Sequence, residues 1–291
     1  MTIQNPTWGL PQRVKFSLGY ARDKLLVFRH VLSPRWAFWF YELRYSLANA
    51  WHLLIGGQGQ AVWHGAEQVV TSRGTFRVRI GSQDASVISP AFERPDMERL
   101  LKLLYDYQQS GPVTFLDVGA NIGRFTITVG KTLPQVNVWA FEPDPENFKV
   151  LLSNYRLNNL TLPQVQLFSV ALGEKVEQLD LYGSKIRGGD HTFKPSANLQ
   201  KVATVLVKPL EQWLKTLSPD TAVVLKLDVE GFEIEVLKGI GSLRGRFRSF
   251  DLMIEDITQR DKIYEFLRQK QATPTAKLTP YNSWWRFDTS P

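Results

Sequence analysis

The sequence predicts an α/β fold in which strands and helices alternate along a parallel sheet, and three observations predict it. From Val113 to Val170 short apolar runs alternate with helix-period segments. The apolar strand Phe115-Leu116-Asp117-Val118 breaks into a tight turn, Gly119-Ala120-Asn121-Ile122-Gly123, that opens a helix. A second apolar strand, Val224-Leu225-Lys226-Leu227, ends in Asp228 and breaks the same way at Gly231.

The elements follow in order. Residues 1–60 are expected to form a basic, aromatic helical extension, with Trp36, Phe38, Trp39, Phe40 and Tyr41 in one stretch. Residues 1–50 carry seven Lys/Arg against two acids, so five of the chain's net +7 charges sit there. This segment reads as a helix packed on the main domain; the competing reading is a face that rests on anionic lipid or clasps a partner protein. Residues 61–291 are assigned to one α/β domain, with 61–111 as a lead-in and 112–291 as the core. The lead-in holds a β-hairpin from Val69 to Ile80, turning at Ser72-Arg73-Gly74, and a helix over 95–109 with Met97, Leu100, Leu101, Leu104 and Tyr105 on one stripe. In the core, strands are expected at Val113–Val118, Val136–Phe141 and Val165–Val170, with helices at Gly123–Thr132 and Pro145–Asn158 between them. Asp144 supplies an N-cap for the second helix and Pro145 its first turn. Strands Gln178–Tyr182 and Val202–Val207 flank a polar loop from Gly183 to Gln200. Strand Val223–Asp228, helix Phe232–Lys238 and strand Asp251–Glu255 complete the prediction.

Composition closes off several functions. The 291 residues contain no cysteine, which excludes a disulfide scaffold, a cysteine-ligated zinc module and an iron–sulfur protein. Charges interrupt every apolar run well short of the roughly 18 residues a membrane span needs. Thr2 to Gln12, with two prolines, lacks the pattern of a signal peptide, so the expected location is cytoplasmic, with peripheral membrane contact through residues 1–50 as the alternative. No nucleic-acid partner is expected, because the positive excess is confined to those residues and no RNA- or DNA-reading motif accompanies it.

The turn at Gly119 lies where open α/β sheets bind ligands, and Glu142, 19 residues beyond Gly123 at the end of the next strand, suits hydrogen bonds from both ribose hydroxyls. Asn121 and Arg124 stand where a dinucleotide fingerprint wants glycine, which argues against pyrophosphate. Asp117, costly to bury alone, is expected to accept from turn amides or to contact a ligand amino group. Lys226 has a structural ion pair as the reading that competes with any role at the site. Glu230, Glu233 and Glu235 read as the acidic first turn of a helix.

Asp117-Val118-Gly119-Ala120-Asn121-Ile122-Gly123, Phe141-Glu142-Pro143, Ala171-Leu172-Gly173 and Leu227-Asp228-Val229-Glu230-Gly231-Phe232-Glu233 with Leu237-Lys238-Gly239, in this order, resemble the FkbM family of S-adenosylmethionine-dependent methyltransferases. The resemblance runs from about Ile88 to Phe287 and leaves residues 1–60 outside it. It implies a class I methyltransferase (Rossmann-like) fold, a seven-stranded mostly parallel sheet with helices on both faces, and O-methylation of a hydroxyl on a sugar or natural-product small molecule. S-adenosyl-L-methionine then meets Asp117, Gly119, Ala120, Asn121, Gly123, Glu142 and Asp228, with adenine between Pro143 or Asp144 and Ser169-Val170-Ala171. Candidate bases are Asp228, His191 and Glu255, the histidine lying in the polar loop. No metal is expected; Mg2+ held by Asp228 and Glu255-Asp256 is the disfavoured variant. A nicotinamide-dependent oxidoreductase and a non-catalytic nucleoside-binding module docking through its N-terminus are the alternatives.

Overall fold

The computed structural model describes residues 31–33, 66–79, 82, 84–90, 92–183, 191–196, 199–242, 246–257 and 259–289. The described residues up to Phe92 form one compact unit and those from Glu93 onward a second.

The first unit holds a three-stranded antiparallel sheet, β1 (Val31–Ser33), β2 (Ala66–Thr71) and β3 (Gly74–Arg79), with β2 in the middle. The expected hairpin is β2–β3, and Thr71 Oγ1 closes its turn by accepting from Arg73 N and donating to Gly74 O. Buried Arg79 grips Asp84, in the short helix α1 (Asp84–Val87), through Nε at 2.8 Å and a terminal nitrogen at 2.7 Å. Strand β1 was not foreseen, and the rest of the expected helical extension over residues 1–60 lies outside the described residues.

The second unit starts with α2 (Arg94–Gln108) and then alternates: β4 (Val113–Val118), α3 (Arg124–Thr132), β5 (Asn137–Phe141), α4 (Pro145–Leu157), β6 (Val165–Phe168). A small sheet follows, made of β7 (Ala171–Leu172), β8 (Glu177–Gly183), β9 (His191–Thr192) and β10 (Gln200–Lys208) in the order β7-β10-β8-β9. The chain then returns through α5 (Glu211–Leu214), β11 (Ala222–Leu227), α6 (Glu233–Lys238), β12 (Ser249–Glu255), α7 (Arg260–Gln269), β13 (Thr273–Ala276) and β14 (Asn282–Phe287). The main sheet has the order β13-β14-β12-β11-β4-β5-β6, and β14 alone runs against its neighbours. This is the seven-stranded, mostly parallel Rossmann-like sheet that the resemblance implies.

Helices cover both faces, because alternate residues of strands buried on both sides seek different partners. Phe115 and Val224 pack with Met97, Leu100 and Leu104 of α2 and Phe125 and Val129 of α3. Their neighbours Leu116 and Leu225 pack with Leu214 of α5, Val236 of α6 and Ile263 and Leu267 of α7. Every residue of β4 and β11 is buried. Asp144 caps α4 as expected, accepting from Asn147 N at 2.7 Å.

The α7 helix and the β13–β14 pair went unforeseen. One buried acid fastens β14 to α2: Asp96 accepts from Trp284 Nε1 at 2.7 Å, Thr279 Oγ1 at 2.7 Å and Asn282 Nδ2 at 3.2 Å. Asp96→Ala leaves Trp284 Nε1 buried without an acceptor and takes one partner each from half-buried Thr279 and from Asn282, whose Nδ2 keeps Glu93 Oε1. The expected cost is about 3 kcal/mol, read as a lower urea midpoint; a loss under about 1 kcal/mol would show that the network contributes little.

Candidate functional site

The carboxyl ends of β4, β5, β11 and β12 converge on one acidic crevice, and backbone geometry brings them there. Gly119 has φ +77°, and a Cβ on it would stand 1.8 Å from the carbonyl oxygen of Asp228, so only glycine lets the turn after β4 meet the end of β11. The amides of Gly119 and Ala120 both donate to Phe141 O at 3.0 Å, tying the same turn to β5. Gly123, at φ +91°, opens α3 where a Cβ would lie 2.4 Å from Leu151 of α4.

Glu142 is fixed by these approaches. Its Oε2 accepts from Asn121 N at 2.7 Å and its Oε1 from Asp144 N at 2.9 Å, and only 5% of the residue is exposed. Burial pushes its carboxyl up to about 7; the two amides and Lys226 oppose that rise, and the Asp144 charge adds to it. Asn121, at φ +52°, turns its amide to Glu142 while its own Oδ1 lies buried without a hydrogen-bond partner.

Asp117 is fully buried and belongs to the scaffold more than to the crevice surface. Its Oδ2 accepts from Thr126 N at 3.0 Å and Thr126 Oγ1 at 2.6 Å, so the amide it serves is in the first turn of α3 and not in the glycine turn. Lys226 is its direct cross-strand partner. The buried ammonium donates to Gly119 O at 2.8 Å and lies 3.6 Å from Asp117 Oδ1 and 3.3 Å from Asp228 Oδ2. Burial opposes that charge, but Asp228, Asp117 and Glu93 outweigh it and hold the lysine above its ordinary range. The structural ion pair anticipated for Lys226 is therefore present, and it touches the site as well.

At the ends of β11 and β12, Asp228, Glu230 and Glu255 each offer an oxygen within 4.8 Å of the others. Burial first, and then the charges of Asp228, Glu230, Glu233 and Glu93, push the Glu255 carboxyl up to about 10. Asp256 is not part of this group: its carboxylate is taken by Lys277, Arg260 and Tyr264. Glu230 lies outside α6, in the left-handed region at φ +52°, and Glu233 accepts from Val229 N at 3.3 Å and Gly231 N at 3.0 Å. Glu233 and Glu235 are the acidic first turn of α6, as expected, whereas Glu230 precedes the helix and stands with Asp228 and Glu255. Glu93 was missed. It pairs with buried Arg124 at 3.0 Å and accepts from Asn282 Nδ2 at 2.8 Å; burial raises its carboxyl, with Arg124 opposing and Asp228 adding to the rise.

His191 stands beside the start of α4. Its Nε2 is 3.6 Å from Asp144 Oδ2 and its Nδ1 3.5 Å from Asn147 Nδ2, and a Cβ on Gly183 would strike its ring. The structure thus places it with the Glu142 end of the crevice. Of the residues proposed to flank adenine, Ser169 is exposed and Pro143 half-buried, whereas Val170 and Ala171 are buried in core clusters.

The Methyltransferase FkbM domain matches residues 117–271, just over half of the chain and the span from Asp117 through Glu255. Curated relatives include Methyltransferase sdnD from Sordaria araneosa, 29% identical over 154 residues, covering 43% of this chain and 59% of that protein. Methyltransferase 1 from Beauveria bassiana is 32% identical over 144 residues, covering 43% and 57%. Hexuronic acid methyltransferase AglP from Haloferax volcanii is 30% identical over 151 residues, covering 48% and 55%. The chain therefore spans little more than half the length of these relatives.

Lys226→Met tests the buried charge pairing. Asp117 would lose its only cationic neighbour named above and Gly119 O its donor. The expected destabilisation is about 3–5 kcal/mol, measured by chemical denaturation near neutral pH. A variant as stable as the wild type would overturn the assignment.

Proposed function

The chain belongs to the FkbM methyltransferase family, and from that premise we propose that it is an S-adenosylmethionine-dependent methyltransferase acting on a hydroxyl group of a sugar or natural-product small molecule. The observation that carries the reading is Glu142: a carboxylate locked by two backbone amides at the end of β5, directly beside the glycine turn. Each of its oxygens keeps lone-pair capacity for a ribose hydroxyl. The residues fit the cofactor in a second respect. Asn121 Oδ1 and Asn147 Oδ1 are acceptors without donors, and the cofactor brings an ammonium, an adenine amino group and hydroxyls.

When bound, the cofactor supplies an electrophilic methyl group on a sulfonium, so the protein's tasks are to orient the acceptor oxygen and to take its proton. Asp228 suits both tasks, because its side chain is about one-third exposed (34%) at the end of β11 while Lys226 holds its other side. His191, beside Asp144, is assigned to the cofactor's ribose side instead of to proton transfer. The sugar class of acceptor takes its support from the name of the hexuronic acid methyltransferase relative.

Calorimetric titration with S-adenosylhomocysteine checks this reading. Glu142→Ala should weaken binding by about a hundredfold, the loss of two hydrogen bonds to a charged group. Nicotinamide-dinucleotide binding in place of the nucleoside thioether would overturn the proposal. The wild type should also show a pH dependence of known sign. Ribose hydroxyls donate to the ionised carboxylate, and burial raises the Glu142 carboxyl to about 7 with Asp144 and Lys226 as its charged neighbours. Affinity is therefore expected to fall by about tenfold from pH 8 to pH 6. A flat profile would show that Glu142 does not receive the ribose.

A further inference from the structure

We propose that the segment His191–Lys194 is a strap that closes over bound nucleoside and must lift for it to enter or leave the crevice. The segment has one anchor on each side of the glycine turn. At its start, in β9, His191 lies against α4: its Nε2 is 3.6 Å from Asp144 Oδ2 and its Nδ1 3.5 Å from Asn147 Nδ2. Two residues on, the Phe193 and Phe232 rings meet with centroids 4.6 Å apart, and Lys194 Nζ donates to Gly231 O at 3.1 Å. The first anchor follows β5 and the second follows β11, and β4, which leads into the glycine turn, pairs with both strands between them. Neighbouring strands stand about 4.8 Å apart, which puts β5 about 9.6 Å from β11, and three extended residue steps reach at most about 10 Å. The segment is therefore long enough to cross the carboxyl end of β4.

The anchors hold the strap without fastening it. The two histidine distances exceed the 2.7–3.2 Å of an ordinary hydrogen bond, and Lys194 is exposed, so water competes for its ammonium. Lys194 N donates to Thr192 Oγ1 at 3.2 Å, which bends the segment locally and adds no tie to the rest of the fold. Behind it, β9 is an edge strand of two residues that pairs with β8 alone at Tyr182 and Gly183. By contrast β8 is bound to β10 from Glu177 to Gly183, and Gly231 O also accepts from Gln259 Nε2 at 2.7 Å. The surfaces that the strap rests on are thus held independently of it. Elements with few buried contacts open at lower free energy than the core, so β9 and the strap can lift while both seats stay in place.

That arrangement has a kinetic signature. The anchoring contacts join protein groups to one another and exist without any ligand. Weakening them raises the open fraction of the free and of the loaded chain alike, so association and dissociation accelerate together and affinity hardly changes. A residue that grips the ligand itself would change affinity instead. The identity of the ligand rests on the function proposed above.

Tritiated S-adenosylhomocysteine is bound to the full chain, and its association and its release into an excess of unlabelled ligand are timed. Phe193→Ala removes the aromatic seat on Phe232, and Lys194→Met removes the donor to Gly231 O while keeping the aliphatic stem. Each should raise both rates by about fivefold or more, the weight of one such contact, with Kd within about twofold of wild type. Unchanged rates in the folded variants, or faster release with unchanged association, overturn the strap. Should Phe193→Ala fail to fold, Lys194→Met, at an exposed position, decides. Hydrogen exchange of residues 191–194 in the ligand-free chain supplies a readout that needs no nucleoside: both variants should speed it by about fivefold, and wild-type exchange overturns the strap. A wild-type chain that binds no S-adenosylhomocysteine but shows the exchange effect removes the methyltransferase proposal and keeps the strap; nucleoside binding with unaltered exchange and rates removes the strap alone.

Discussion

One buried ammonium organises the catalytic end of the sheet. Lys226 lies on the face of β11 covered by α3, directly across from Asp117 on β4, and its Nζ reaches Gly119 O, Asp117 and Asp228 together. Burying a charge is tolerable only when partners surround it, so the ammonium obliges the two strand ends to stay in register with their acids facing it. Asp117 extends the constraint into the next layer by accepting from Thr126 at the start of α3. The turn between β4 and α3 is thereby held at both ends by charge, and the glycine at 119 permits the approach that the charges enforce: its missing Cβ is the space that Asp228 O occupies.

From that anchor the crevice divides into two acidic regions of different character. On the β5 side, Glu142 is compensated by backbone amides, which cannot drift or titrate, so its carboxylate is fixed in place. On the β11–β12 side, Asp228, Glu230 and Glu255 bring oxygens within 4.8 Å of one another, and after burial it is the charges of Asp228 and Glu230 that raise the Glu255 carboxyl. Fixed acceptors suit recognition of a cofactor that brings hydroxyl donors. Crowded acids favour one another's protonated form.

The sheet was legible in the sequence because its signals are local. The unbroken apolar runs of β4 and β11, the Asp144-Pro145 start of α4 and the glycine breaks at 119 and 231 each need only a few neighbouring residues. Glu142 and Asp228 follow the ends of β5 and β11 as the sequence places them, because an acid closing an apolar strand is itself a local signal. The missed residues owe their roles to distant partners. Glu93 precedes a helix start and looks like any exposed acid until Arg124 and Asn282 close on it from other elements. Glu230 and Glu233 carry the charge that favours any helix N-terminus, and nothing in their spacing distinguishes a dipole-stabilising acid from one turned back under its own loop. The C-terminal β13–β14 pair was missed because β14 runs antiparallel beside β12, fastened by Trp284 to Asp96 nearly two hundred residues earlier.

His191 shows how the same limit acts on chemistry. Its imidazole made it a candidate base because titration near neutral pH is a property of the residue type, visible without coordinates. What decides its role is position: packed over Gly183 and beside Asp144 and Asn147, it shares an environment with the Glu142 end of the crevice. A base must lie within reach of the proton it takes, and the proposed base is Asp228 at the end of β11, with the histidine held against the cap of α4. Asp144 is thereby a junction, since its carboxylate caps the helix by accepting from Asn147 N and lies beside the imidazole, while its backbone N–H donates to Glu142. A change at that one residue reaches the helix, the histidine and Glu142 at once, which makes the Glu142 end of the crevice a single mechanical unit.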